Sequence, residues 1–287
     1  MTMRAQSTLL PDGKRLHLQH GPIDIVAEAF GTPAEVALAY EQASQQFATI
    51  LQELVYELPR LRKQVGPVPI LFKGTVERRM YDATWPHRSS FITPMAAVAG
   101  AVAEEVLGAL TEDRVLDKAY VNNGGDIAVH LGEGQSFTAG IVANQDAPML
   151  DGGIEIDSAS PVRGIATSGW RGRSLSMGVA DSVTVLASSA AAADAAATMI
   201  ANATDVAHPA VETAPAREVR DDTDLGERRV TVDVGALDDA AIAAALTAGC
   251  REAEIIRSRG LIVSACIALQ GHQRCVDGLE GLEQEAS

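Results

Sequence analysis

The chain has 287 residues, 47% of them hydrophobic, which is enough apolar material for a large core. Its formal net charge is −15, a surface field that sets aside nucleic acid and membranes as main partners while leaving room for a local basic pocket. Aromatic residues make up only 4%, so the core must be built from Ala, Val, Leu and Ile.

The first thirty residues read as a β-meander. Pro11-Asp12-Gly13 and Gly21-Pro22 are turn signals, with strands at Arg15–Gln19 and Ile23–Ala29. A long helix follows from Pro33 to about Leu58, capped by Thr32, with an apolar stripe of Tyr40, Phe47, Ile50, Leu51, Leu54 and Leu58 and its end at Pro59. Gly66–Pro69 is a stiff link. Thr93-Pro94 starts a second helix to about Leu110, rich in Ala and Gly, whose small face allows close packing. Strand candidates follow at Lys118–Val121, Ile127–Leu131, Phe137–Val142, Val162–Thr167 and Asp181–Ala187. The last runs into an Ala-rich helix, Ser188 to about Asn202. His208–Arg228 is polar and charged. A strand at Arg229–Val234, a helix from Asp238 to about Arg257 and a final strand at Leu261–Leu269 complete the pattern, with a frayed acidic tail after Gly278. Strands and helices interleave irregularly and nothing repeats. The expectation is one α+β domain over residues 1–287.

Cys250, Cys266 and Cys275 form no CxxC pair, and the expectation is three buried structural thiols in a reducing compartment. Residues 1–15 show no signal-peptide pattern, and the closest apolar runs are broken by Glu104, Glu105 and Asp194. The expected location is the cytoplasm.

Common catalytic motifs are absent, and the six histidines show no metal spacing. Three constellations stand out instead. Val121-Asn122-Asn123-Gly124-Gly125-Asp126-Ile127 places two glycines and a carboxylate between apolar runs. It reads as a tight hairpin, or as a turn whose glycines let backbone amides approach a ligand while Asp126 accepts a hydrogen bond. Asp194 and Thr198 lie at i, i+4 in a stretch where ten of seventeen residues, 187–203, are Ala. A carboxylate there is solvent-facing, capping, or bound to a hard cation. Thr167-Ser168-Gly169 ends a strand, flanked by Arg163, Arg171 and Arg173. It is an ordinary turn, or a hydroxyl and amide cluster with an arginine clamp for an anion.

The residues resemble a known family. Asn122-x-Gly124-Gly125-Asp126-Ile127 looks like the N-x-G-G-[DN]-[IL] motif of the FAD:protein FMN transferases, the ApbE family. Ala166-Thr167-Ser168-Gly169 resembles its A-T-S-G segment, and Ala193-Asp194-x-x-x-Thr198 its metal-binding helix, in the same order. Thr93-Pro94-Met95-Ala96-Ala97-Val98-Ala99-Gly100 and His20-Gly21-Pro22-Ile23-Asp24 resemble an uncharacterised group of cytoplasmic ApbE-related proteins over almost the whole chain.

The resemblance implies an ApbE-like fold of mixed and antiparallel sheets packed with helices. It implies Mg²⁺ held by Asp194 and Thr198. It also implies FAD or a similar flavin nucleotide lined by Asn122, Gly124, Gly125, Asp126, Thr167, Ser168 and Gly169. Two departures bear on the reaction. The family carries Lys-Gly where this chain has Ala99-Gly100. It carries a His and an Asp-Pro where this chain has Arg173-Ser174-Leu175-Ser176-Met177-Gly178-Val179-Ala180. No residue is therefore assigned as catalytic. Three readings follow. One is transfer of FMN to a Thr or Ser of a flavin-acceptor protein. The second is an enzyme acting on a small anionic metabolite. The third is a non-enzymatic flavin or nucleotide binder. No nucleic-acid or membrane partner is expected, and a homodimer is open.

Overall fold

A computed structural model describes residues 4–141, 152–172 and 174–276, and it is α+β. By spatial contact the chain divides into two interleaved units. One is Met1–Phe137, Ile156–Ala166 and Ser188–Asp194. The other is Thr138–Glu155, Thr167–Ala187 and Ala195–Ser287.

The first unit is built on an antiparallel sheet of strands β1 (Gln6–Leu9), β2 (Leu16–His20), β3 (Ile23–Gly31), β4 (Leu116–Asn123) and β5 (Asp126–Leu131), in that order. The start of β8 (Gly164–Ser168) then pairs with β5, placing Ile165 opposite Ile127. In β3 burial alternates from residue to residue, as expected of a sheet with one face on a core. That face is covered by helices α1 (Pro33–Leu61) and α3 (Val98–Thr111), and α2 (Thr75–Thr84) packs on those two helices. Leu18, Ile25, Phe47, Ile50, Met80 and Leu110 are fully buried there.

Two helix starts match the expectation in mechanism. The Thr32 hydroxyl accepts from the Glu35 amide at 3.4 Å, and the Thr93 hydroxyl from Met95 at 3.2 Å. The first turn after Thr93 is a 3₁₀ turn, Pro94–Ala97, before α3 proper. By length and composition alone Pro94–Thr111 would cross a membrane; here α3 packs on α1, β4 and β5.

Pro59 does not end α1, which continues to Leu61. The missing amide costs one late hydrogen bond. Burial of Leu61, fully shielded, holds the extra turn in place. Helix α2 was not legible in the sequence, because Arg78, Arg79 and Asp82 interrupt its short buried stripe of Val76, Met80 and Tyr81.

In the second unit, β9 (Ser182–Ala187), β12 (Ser264–Leu269) and β13 (His272–Val276) form antiparallel pairs, with helix α6 (Asp239–Ser258) packed on β12 and β13. Asp238 caps α6 by accepting from Ala241 at 2.8 Å. The polar segment His208–Arg228 holds strand β10 (Val211–Pro215), which pairs with β11 (Arg229–Val234), and the short helix α5 (Ala216–Val219). Strand β6 (Ser136–Ile141) pairs with β7 (Gly152–Asp157). Helix α4 (Ala190–Ala203) begins in the first unit and continues into the second. Val142, Arg173 and the tail after Gly278 lie outside the described residues.

The cysteines correct one expectation. Cys266 and Cys275 stand opposite each other on β12 and β13, with Cα atoms 4.1 Å apart, and are joined as a disulfide. Cys250 alone is a thiol, and burial raises its pKa. The partner strand β13 had not been recognised in the sequence, so the pairing was hidden. The cysteines thus lend no support to a reducing compartment.

Candidate functional site

The Asn122–Asp126 segment is a two-residue hairpin. Asn123 pairs with Asp126 across β4 and β5, and Gly124 and Gly125 form the turn with φ of 67° and 112°. Both values lie in the left-handed region, as a tight hairpin matching strand twist requires. The Asn122 side chain accepts from the Gly125 amide at 2.8 Å and ties the turn to its own strand. A side chain added at either glycine meets no protein atom within 4 Å, so the glycines are required by conformation and leave the turn open on its outer side. Asp126 and Asn123 are both buried, each 8% exposed.

This hairpin adjoins the beginning of α3. The Asn123 amide group donates to the Ala99 carbonyl at 3.0 Å. The Gly100 amide donates to the Asp194 carboxylate at 3.1 Å. Asp194 therefore sits on the positive end of α3, where unsatisfied amides favour a carboxylate. Its pKa is nonetheless raised well above the ordinary value: burial is the main cause and the neighbouring Asp126 the second, while the amides of Gly100 and Ala99 pull the other way. Two carboxyl groups that repel each other, one buried and one half-buried, disfavour double ionisation unless a proton or a cation is shared between them.

The starts of α3 and α4 interlock. Glu104, on α3, accepts from the Ala191 amide at 2.7 Å in the first turn of α4, and Ser189 accepts from Ala192 at 3.2 Å. A Cβ at Gly100 would fall on the Ala190 carbonyl and lie 2.7 Å from the Ala191 nitrogen. Gly164 presses on the same turn from β8. These close approaches explain the small residues around Gly100. Glu104 had shown in the sequence only as a break in an apolar run.

Thr198 lies on α4 at i+4 from Asp194, so the two share a helix face as expected. No group of three His, Cys, Asp or Glu residues suited to a metal exists among the described residues.

The Thr167–Gly169 turn is described within the second unit. Thr167 and Thr184 hydroxyls are 3.1 Å apart. Gly169 is crowded by the main chain of Asp181, which leaves no space for a Cβ. Two of the three arginines expected around this turn have partners within the protein. Arg163 donates to the carbonyls of Ser158, Ser160 and Val162 at 2.6–2.9 Å. Arg171 lies 2.8 Å from the Asp181 carboxylate and stacks on Trp170. Both guanidiniums serve the protein itself, and Arg173 lies outside the described residues. Burial first, and then the Arg163 charge, lower the pKa of His130.

Comparison with known proteins supports the resemblance read from the motifs. A family profile described as AbpE bacteria matches residues 7–275. A protein named UPF0280 protein in Methanosarcina acetivorans is 36% identical over 192 residues, covering 66% of this chain and 73% of that one. Proteins of the same name in Methanococcoides burtonii and Methanothrix thermoacetophila are 39% and 41% identical over 124 and 120 residues, 43% and 41% of this chain. The chain spans about half the length of these last two relatives, 51% and 49%. Among solved structures, a mutant form of the flavin transferase ApbE from Vibrio cholerae aligns over 96% of this chain and 97% of that one, with 13% identity and a TM-score of 0.37.

Proposed function

The chain belongs to the AbpE bacteria family, and from that premise we propose that it binds a flavin nucleotide or a similar phosphate-bearing ligand together with Mg²⁺. The observation that carries this reading is the half-buried Asp194 carboxyl group, which accepts from the Gly100 amide at the start of α3 and feels the charge of the buried Asp126. The donor chemistry fits a hard cation. Mg²⁺ is commonly held by one or two carboxylates, with water and phosphate oxygens completing its shell. A divalent cation would neutralise the repulsion between Asp194 and Asp126, and the Thr198 hydroxyl adds an oxygen on the same helix face. When bound, the cation offsets phosphate charge.

The residues of this chain then divide the remaining work. The Gly124-Gly125 turn is open on its outer side, with no side chain in the way of a ligand. Asn123 fixes that turn to α3 through Ala99. Glu104 holds the start of α4, and so the position of Asp194. Transfer of FMN to an acceptor protein is the finer reading, and the Ala at position 99 weighs against it. The internal partners of Arg163 and Arg171 weigh against a clamp for a small anionic metabolite.

Calorimetric titration of Mg²⁺, with and without FAD or ADP, tests the proposal. Binding that is strengthened by the nucleotide and abolished in Asp194→Asn supports it. Absence of Mg²⁺ binding, or binding unchanged by that substitution, overturns it.

A further inference from the structure

The Cys266–Cys275 disulfide lies on the face of its sheet turned away from α6. Arg274 donates to the Thr247 hydroxyl of α6 at 2.9 Å, and a Cβ at Gly249 of the same helix would lie 2.8 Å from Ile267 Cδ1. Side chains alternate along a strand, so Cys266 and Cys275, each one position away, point to the opposite face. There Cys266 stands between Cys275 on β13 and Thr184 on β9. Cys266 is buried, whereas Cys275 is exposed on the edge strand.

Little of the fold depends on this bond. β12 and β13 already pair over five residues across the Gln270-Gly271 turn, and α6 packs on both strands. The disulfide joins positions only 9 apart, and closing so short a loop removes little freedom from the unfolded chain. A neighbouring side chain is nonetheless directed at the sulfurs. The Gln273 side-chain amide donates to Cys266 Sγ at 2.7 Å and reaches Cys275 Sγ at 3.5 Å. A sulfur in a disulfide accepts such a bond weakly, whereas a thiolate accepts it strongly. The donor is thus placed for a state in which the bond is broken.

We propose that Cys266 and Cys275 form a reversible exchange site for dithiol reductants, with Gln273 stabilising the sulfur that leaves. A thiolate of the dithiol attacks the exposed Cys275 Sγ. The Sγ–Sγ bond breaks, and Cys266 Sγ departs with the electron pair as a thiolate under the Gln273 amide, then takes a proton from water. The second thiol of the reductant, deprotonated, attacks the reductant's own sulfur in the mixed disulfide. Cys275 Sγ is expelled as a thiolate and protonated in turn. Two electrons and two protons have passed to the protein, and the dithiol has become a disulfide. Oxidation by a small disulfide runs the same steps in reverse.

Alkylation of the full chain tests this, with labels counted by mass after quenching in denaturant. Cys250 is a thiol in either state, so the oxidised protein takes one label and the reduced protein three. Equilibration with oxidised glutathione should give one label. Dithiothreitol should then give three without any denaturant, and renewed oxidised glutathione should restore one. Gln273→Leu keeps the bulk and removes the donor. It should slow reduction about tenfold while leaving the thermal midpoint of the oxidised protein unchanged, because residue 273 is exposed. Three labels after oxidised glutathione, reduction only in urea, or equal rates with and without the Gln273 amide would each overturn the proposal.

Discussion

Gly100 and Asp194 are joined by a hydrogen bond of 3.1 Å across 94 positions of sequence. The carboxylate thereby has two tasks, capping α3 and, as proposed, holding a cation, and two substitutions separate them. Asp194→Asn keeps an acceptor for the Gly100 amide, so the urea midpoint should move little while Mg²⁺ binding is lost. Asp194→Ala removes the cap as well and should cost a further ~1 kcal/mol of stability. Equal midpoints for the two variants would show that the hydrogen bond does not cap α3.

Gly124 and Gly125 should respond differently to substitution. At φ of 67°, Gly124→Asn is tolerated, since Asn enters the left-handed region readily. At φ of 112°, Gly125→Ala is strained and should lower stability by about 1–2 kcal/mol, although no atom blocks the new methyl group. Urea denaturation of the two variants checks this. For the ligand reading, Gly124→Asn should weaken nucleotide binding more than folding, because its side chain enters the open outer face of the turn.

Glu77 is 1% exposed, and its Oε2 has no hydrogen-bond partner. Burial raises its pKa, with Glu53, Glu57 and Glu105 adding to the effect. As pH climbs past the ordinary carboxylate value of 4.5, the unfolded chain gives up this proton before the folded one does. Stability from this group is therefore complete below that value and declines as pH rises to the folded pKa, by at most about 1.4 kcal/mol per unit. Glu77→Gln should be more stable than the native chain at neutral pH and should lose that advantage below pH 4.5. Thermal unfolding across the range reads the difference, and parallel curves would contradict it.

Incubation with FAD, Mg²⁺ and a flavin-acceptor domain, followed by mass spectrometry, should give little or no FMN adduct. Ala99 has no charge to steady a phosphate, and no histidine occurs in Ser174–Ala180. Loss of one preorganised contact costs about a hundredfold or more in rate. Efficient transfer that depends on Asp194 would establish the transferase reading in its place.

The strands and long helices were legible in the sequence because each has an apolar period of its own, as in β3 and α1. What escaped notice depends on partners distant in sequence. Helix α2 buries its stripe only against α1, α3 and the turn that precedes α3, and β13 is an edge strand of exposed residues with a single buried position. Of the residues in the proposed site, Asp126, Asp194 and Gly124-Gly125 stand in sequence motifs, whereas Glu104 does not: its task is to accept an amide 87 positions away. The internal partners of Arg163 and Arg171 were hidden for a similar reason. These partners, main-chain carbonyls and Asp181, are set by tertiary structure.

The interlocked helix starts constrain how the chain can be divided. Each supplies the carboxylate that completes the other, Glu104 for Ala191 and Asp194 for Gly100. A break anywhere from 105 to 188 leaves both fragments with a frayed end that only the missing fragment can mend. Two such pieces, each poorly ordered alone, should recover their structure when mixed, which makes this chain a candidate for a split reporter.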